Sequence, residues 1–202
     1  MGNLPSLSST LDRIDRLLQK KQADRDEELN VDDLAYRTAL PKDTVQALLN
    51  RESAPEDELE QRVCARIAAV GTAYIETTGK RAADVRREIA ATVGRSPEWA
   101  RLLLAGQSMP SVPNFVAVRG YLQKGLPFEI DEKFFTAPAD EALSRALQPV
   151  IECLGGHDPL EAVLAELQVR SVDHRAADMS TRQRVALAEF IRAVVTPDEA
   201  ER

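Results

Sequence analysis

Apolar residues recur at helical spacing along most of the chain. Leu11, Ile14, Leu17 and Leu18 form one stripe over residues 8–20, with Ser8 or Ser9 placed to cap a first helix. A charged run, KKQADRDEELN, follows and reads as a solvated connection. Residues 29–53 then predict a short helix, a tight turn and a second helix. Leu34 and Ala35 face inward on the first, Ala39-Leu40-Pro41 makes the turn, and Val45, Leu48 and Leu49 face inward on the second. Pro41 suits a helix start, where its missing N–H costs nothing. The opposite face of the second helix is left with Lys42, Asp43, Thr44, Gln46, Ala47 and Asn50, with Arg51 just beyond.

A long helix is predicted from about Pro55, with Leu59, Val63, Ile67, Val70 and Tyr74 on its buried face and Arg62 and Arg66 pointing outward. Residues 82–135 repeat the earlier plan. Val85, Ile89 and Ala90 face inward, and Val93-Gly94-Arg95-Ser96 makes a turn. Ser96 caps a helix entered by Pro97, Trp99, Leu102 and Leu103 follow at helical spacing, and Gly106 stops it. A further helix carries Phe115, Val118, Tyr121 and Leu122, and LPFEIDEKFF supplies an apolar closure. Residues 138–195 predict three amphipathic helices. The first carries Leu143, Leu147, Val150, Ile151 and Leu154, the second begins at Asp158-Pro159, and the third begins at Ser180.

The expectation is an all-α fold of tandem helix-turn-helix units followed by a small helical dimerisation region. Its sections are residues 1–78, 79–136 and 137–202. A helix held by its inner face, with short polar residues outside, is shaped to enter a major groove.

Residues 29–53 resemble the Cro/C1-type (XRE) helix-turn-helix family through Leu34-Ala35, Ala39-Leu40-Pro41, Thr44-Val45 and Leu48, followed downstream by Leu59, Val63 and Ile67. That family usually has glycine where this chain has Ala39 and Arg51. Residues 80–195 resemble the actinobacterial EspR-type regulators. The carrying residues are Ser96, Trp99, Leu103, Gly106, Pro110 and Phe134-Phe135, then Leu167, Arg170, Arg175-Ala176, Met179-Ser180-Thr181 and Val185. The resemblance implies a sequence-specific transcriptional regulator that binds double-stranded DNA as a homodimer. On that reading Lys42, Asp43, Thr44, Gln46, Ala47, Asn50, Arg51 and, in the second unit, Arg101 meet DNA. Leu187, Phe190, Ile191 and Val194 on the last helix build the dimer.

Composition qualifies this. The chain has 202 residues, 44% hydrophobic and 4% aromatic, with a net charge of −7. The negative balance argues against a general polyanion binder, since nonspecific affinity comes mainly from phosphate neutralisation. The rival reading is therefore a protein-interaction module that grips another regulatory protein. Cys64 and Cys153 are expected to be buried free thiols. No phosphate-cradling loop, nucleophile elbow or metal-ligand spacing is present, so neither an enzyme nor a cofactor is expected. With no signal peptide or membrane span expected, the predicted location is the cytoplasm, at the nucleoid.

Overall fold

The computed structural model describes residues 5–155 and 181–195, and every regular element among them is a helix. In chain order these are α1 (Leu7–Lys21), α2 (Arg25–Glu28), α3 (Val31–Thr38), α4 (Lys42–Leu49), α5 (Leu59–Thr78), α6 (Ala82–Val93), α7 (Pro97–Leu104), α8 (Val112–Gln123), α9 (Glu132–Thr136), α10 (Ala139–Ala146), α11 (Gln148–Leu154) and α12 (Thr181–Val195). The expected helix beginning at Asp158-Pro159 lies outside the described residues.

The helices bury their stripes in two cores. One joins α1, α3 and α4 to α10 and α11 through Leu11, Ile14, Leu34, Val45, Leu48, Leu143, Leu147 and Ile151. The other joins α5 to α9 through Val63, Ile67, Val70, Val85, Ile89, Leu103, Leu122 and Phe135. The second unit is thus inserted in the first, whose core comes from both flanks of it. The expected boundaries do not follow these cores. Helix α5 belongs with what comes after it, and residues 139–154 belong with the start of the chain. The physical reason is coverage: α1, α3 and α4 carry more apolar surface than three short helices can hide among themselves, and α10 and α11 supply the missing wall. A buried polar bond ties the same elements, Thr10 Oγ1 meeting Ser144 Oγ at 2.9 Å while Ser144 Oγ donates to the Pro5 carbonyl at 3.0 Å.

Three local expectations are corrected. Helix α5 begins at Leu59 rather than Pro55, because Arg62 holds the preceding loop through the Asp57 carboxylate and the Asp57 carbonyl. Leu59 is consequently exposed and not part of the buried face. The single helix expected over 143–154 is two, α10 and α11, joined at Leu147. Pro149 has no N–H to offer the Arg145 carbonyl, so the helix breaks there.

The units touch at a few places. Tyr36 of α3 lies edge-on to Phe128, 5.2 Å between centroids, and its hydroxyl meets Thr77 Oγ1 at 2.8 Å. Arg145 of α10 pairs with Asp131 at 3.1 Å. Helix α12 packs on α11, burying Val185 and Ala188. Cys64 and Cys153 are both buried, and neither forms a disulfide.

Candidate nucleic-acid interface

Both helix pairs have the predicted turn. In the first, Asn30 caps α3 and Ala39 ends it in the left-handed region at φ 53°. Arg51, after α4, also adopts left-handed backbone at φ 66°. The two places where glycine would be natural therefore keep glycine's geometry without glycine, at a steric cost of roughly 1 kcal/mol each. In the second pair, Ser96 Oγ accepts the Trp99 N–H at 3.2 Å, Pro97 enters α7, and Gly94 and Gly106 take the left-handed positions. Gly71 of α5 admits Leu104 of α7, since a Cβ there would stand 2.5 Å from the Leu104 side chain.

Outward from α4 stand Lys42, Asp43, Gln46 and Asn50, with Thr44 and Ala47 half-buried. Their polar groups are already engaged with one another or with neighbours. Gln46 Nε2 donates to Asn50 Oδ1 at 3.3 Å. Asp43 Oδ1 accepts the Thr44 N–H at 2.9 Å. Lys42 pairs with Asp32 at 2.8 Å. Arg51 is shared by Asp12 at 2.8 Å and Asp15 at 2.9 Å, and the hydrogen bond it donates to Asp12, then that to Asp15, hold its pKa above the ordinary arginine value. Arg25, nearby, is spent on Asp15 and the Leu49 carbonyl.

The outward arginines expected on α5 are not there. Arg66 is 1% exposed. Its Nη1 donates to the Phe134 carbonyl, and burial, followed by the nearby Arg62 charge, pushes its pKa down to about 10. Arg62 is largely covered. It pairs with Asp57 at 2.6 Å and donates to the Thr136 carbonyl at 2.7 Å. No basic stripe of Lys42, Arg51, Arg62 and Arg66 therefore runs across the first pair.

The second pair differs. Glu98 and Arg101 are exposed on α7 and pair at 2.7 Å. The Arg101 hydrogen bond, with added attraction from Arg101 and Arg86, holds the Glu98 carboxyl below the usual range. Arg95 is exposed in the turn that precedes α7, and Arg119 lies on α8. Neither makes an ion pair among the described residues. Elsewhere in the unit Lys80 is paired with Glu88 at 2.6 Å, to which Tyr121 also donates at 2.7 Å. Trp99 and Leu102 are half-buried.

Local charge explains the contrast. Residues 79–128 contain Lys80, Arg81, Arg86, Arg87, Arg95, Arg101, Arg119 and Lys124 against Asp84, Glu88 and Glu98, a net +5. Residues 22–60 contain Arg25, Arg37, Lys42 and Arg51 against twelve acids, a net −8. Sequence reading singled out only Arg101 of the basic set. The signal was there, but the overall charge of −7 averages it away.

Of the residues assigned to dimerisation, Leu187 and Ile191 are half-buried, Phe190 is exposed, and the side chain of Val194 lies outside the described residues. A concavity of about 590 Å³ opens between Leu7, the end of α4 and the start of α10. Its arginines, Arg51 and Arg62, are already paired with acids, and no nucleophile with a neighbouring base lines it. Among the described residues no cluster of three or more His, Cys, Asp or Glu could hold a metal, and no helix is long and apolar enough to cross a membrane. Comparison with protein-family models, with curated proteins and with solved structures yields no match.

Proposed function

We propose that the protein is a sequence-specific DNA-binding transcriptional regulator, and that its second helix-turn-helix carries most of the DNA contact. The observation behind this is the outward face of α7 and the turn before it, where Arg95 makes no ion pair among the described residues and Arg101 faces solvent within the one strongly basic stretch of an acidic chain. In this reading α7 enters a major groove. Arg101 turns from Glu98 to a guanine edge, which offers two acceptors to a guanidinium. Arg86 and Arg95 contact phosphates and fix the register. An exposed ion pair is worth little, so exchanging Glu98 for a base edge costs Arg101 little. A homodimer, with α12 and its exposed Phe190 at the contact, would repeat this readout on a second half-site one or more helical turns away.

The first pair supports a second reading on its own evidence. Its cations are tied to acids of α1 and α3, and its surroundings would repel phosphate. It fits a protein-binding role better than a groove.

The test is selection of genomic fragments at two salt concentrations, with sequencing of what is retained. A shared motif that persists at the higher salt supports the proposal. Arg101→Ala should then relax one base position, and Arg95→Ala should weaken all fragments evenly. Retention that is unselective and disappears with salt would overturn it.

A further inference from the structure

Large apolar side chains open to solvent are few among the described residues, and most fall in two patches of opposite charge. The first patch is the outer face of α8. Val112, 77% exposed, Val116 and Gly120 follow one another at four-residue spacing, and the exposed Met109 precedes them. Gly120 is informative because glycine within a helix costs roughly 1 kcal/mol relative to alanine. Nothing among the described residues uses its smallness, since a Cβ there would meet none of their atoms within 4 Å. The charged residues of α8 and its end are Arg119 and Lys124, and the helix contains no acid. The second patch is the start of α5. Leu59, 56% exposed, sits between Glu58 and Glu60, with Glu56 just before them.

We infer that these patches are two halves of one contact between copies of this chain. Leu59 of one molecule packs on the Val112–Val116–Gly120 face of the next, and Glu58 and Glu60 meet Arg119 and Lys124. Both patches are open to solvent, so they do not satisfy each other within one molecule. A second copy joined through α8 alone would bring like charges together, whereas the α5 start offers the opposite sign. Because the two halves are different surfaces, the contact is head-to-tail. Unless it closes into a ring, it propagates into chains. The inference does not depend on the DNA-binding proposal.

Sedimentation of the purified full chain over a wide concentration range tests it. The expected result is a mass that keeps rising with concentration, and that falls when salt is added. Val116→Asp and Leu59→Arg, both on exposed positions, should each weaken association about tenfold or more. The decisive pair is Glu58→Arg with Glu60→Arg in one protein, and Arg119→Glu with Lys124→Glu in another. Each variant alone should fail to grow beyond a dimer joined through α12, whereas an equimolar mixture should assemble further, because every contact in an alternating chain then pairs opposite charges. Circular dichroism of each variant confirms that it is folded. A monomer at all concentrations would overturn the inference. So would a closed dimer indifferent to Leu59 and Val116, or a mixture that assembles no further than its components.

Discussion

The buried guanidinium of Arg66 donates to the carbonyl of Phe134, and the bond exists because of a proline. Phe134 lies in α9, where its carbonyl would take the N–H of residue 138, but that residue is Pro138 and has none. Arg66 fills the gap from α5, across the core of the second unit. Its Nε and Nη2 are buried without a partner among the described residues. The side chain thus joins two elements while carrying a desolvation penalty.

That balance predicts an unusual substitution profile. A pKa lowered to about 10 corresponds to a penalty on the order of 3 kcal/mol. Losing the bond would strand a carbonyl at about 1–3 kcal/mol. Arg66→Met, which keeps the volume, should therefore change stability by less than about 1 kcal/mol in urea unfolding. Arg66→Ala should cost about 2 kcal/mol or more through the cavity it leaves. The sign with pH follows from the lowered value. The folded state holds its proton less tightly than the unfolded one, so the penalty is present below about pH 10 and is relieved as pH rises through that value. The stability difference between wild type and Arg66→Met should move in favour of wild type above it.

Position 39 should gain from glycine. Its left-handed backbone is strained for alanine and natural for glycine. Ala39→Gly should raise the stability of the first unit by about 0.5–1 kcal/mol. A loss of stability in thermal unfolding would mean that the methyl contact with the second core outweighs the strain.

Shortening the chain tests the inserted architecture. Removing residues 137–202 takes Leu143, Leu147 and Ile151 out of the first core. Amides of α1, α3 and α4 should then exchange freely, while those of α5 to α8 stay protected. Equal protection in both units would show that α10 and α11 are dispensable.

Glu98 shares the exposed face of α7 with Arg101, and on the proposed reading its charge opposes phosphate. Glu98→Gln should raise DNA affinity several-fold. Since Arg101 holds the carboxyl below its ordinary range, lowering the pH from 7 to 5 should not reproduce this gain. Binding isotherms of the two proteins across that pH range check both statements.

The all-α class and the second helix pair were legible because their signals are local. Ser96, Pro97 and Gly106 each act within one turn of where they stand. The partner of α10 was not legible, since an amphipathic helix shows that it must be covered but not by what. Arg66 was misread through the habit of turning charge outward. Its position, three after Val63 and four before Val70, falls inside the buried stripe. The fate of Arg51 depended on Asp12 and Asp15, which are close only once α1 has folded against α4. The basic stretch of residues 79–128 was hidden by a whole-chain sum, although the sequence alone contained it.

The most direct test of the DNA-binding account is the salt dependence of affinity for one selected DNA site, compared between wild type, Arg95→Ala and Lys42→Ala. The account predicts that Arg95→Ala lowers the slope of log K against log salt by about 1, as expected for one lost phosphate contact. It predicts that Lys42→Ala, which lies in the net-acidic stretch of residues 22–60 and away from the DNA on this account, leaves the slope unchanged. A slope that falls for Lys42→Ala and not for Arg95→Ala would place the DNA on the first helix pair and contradict the account.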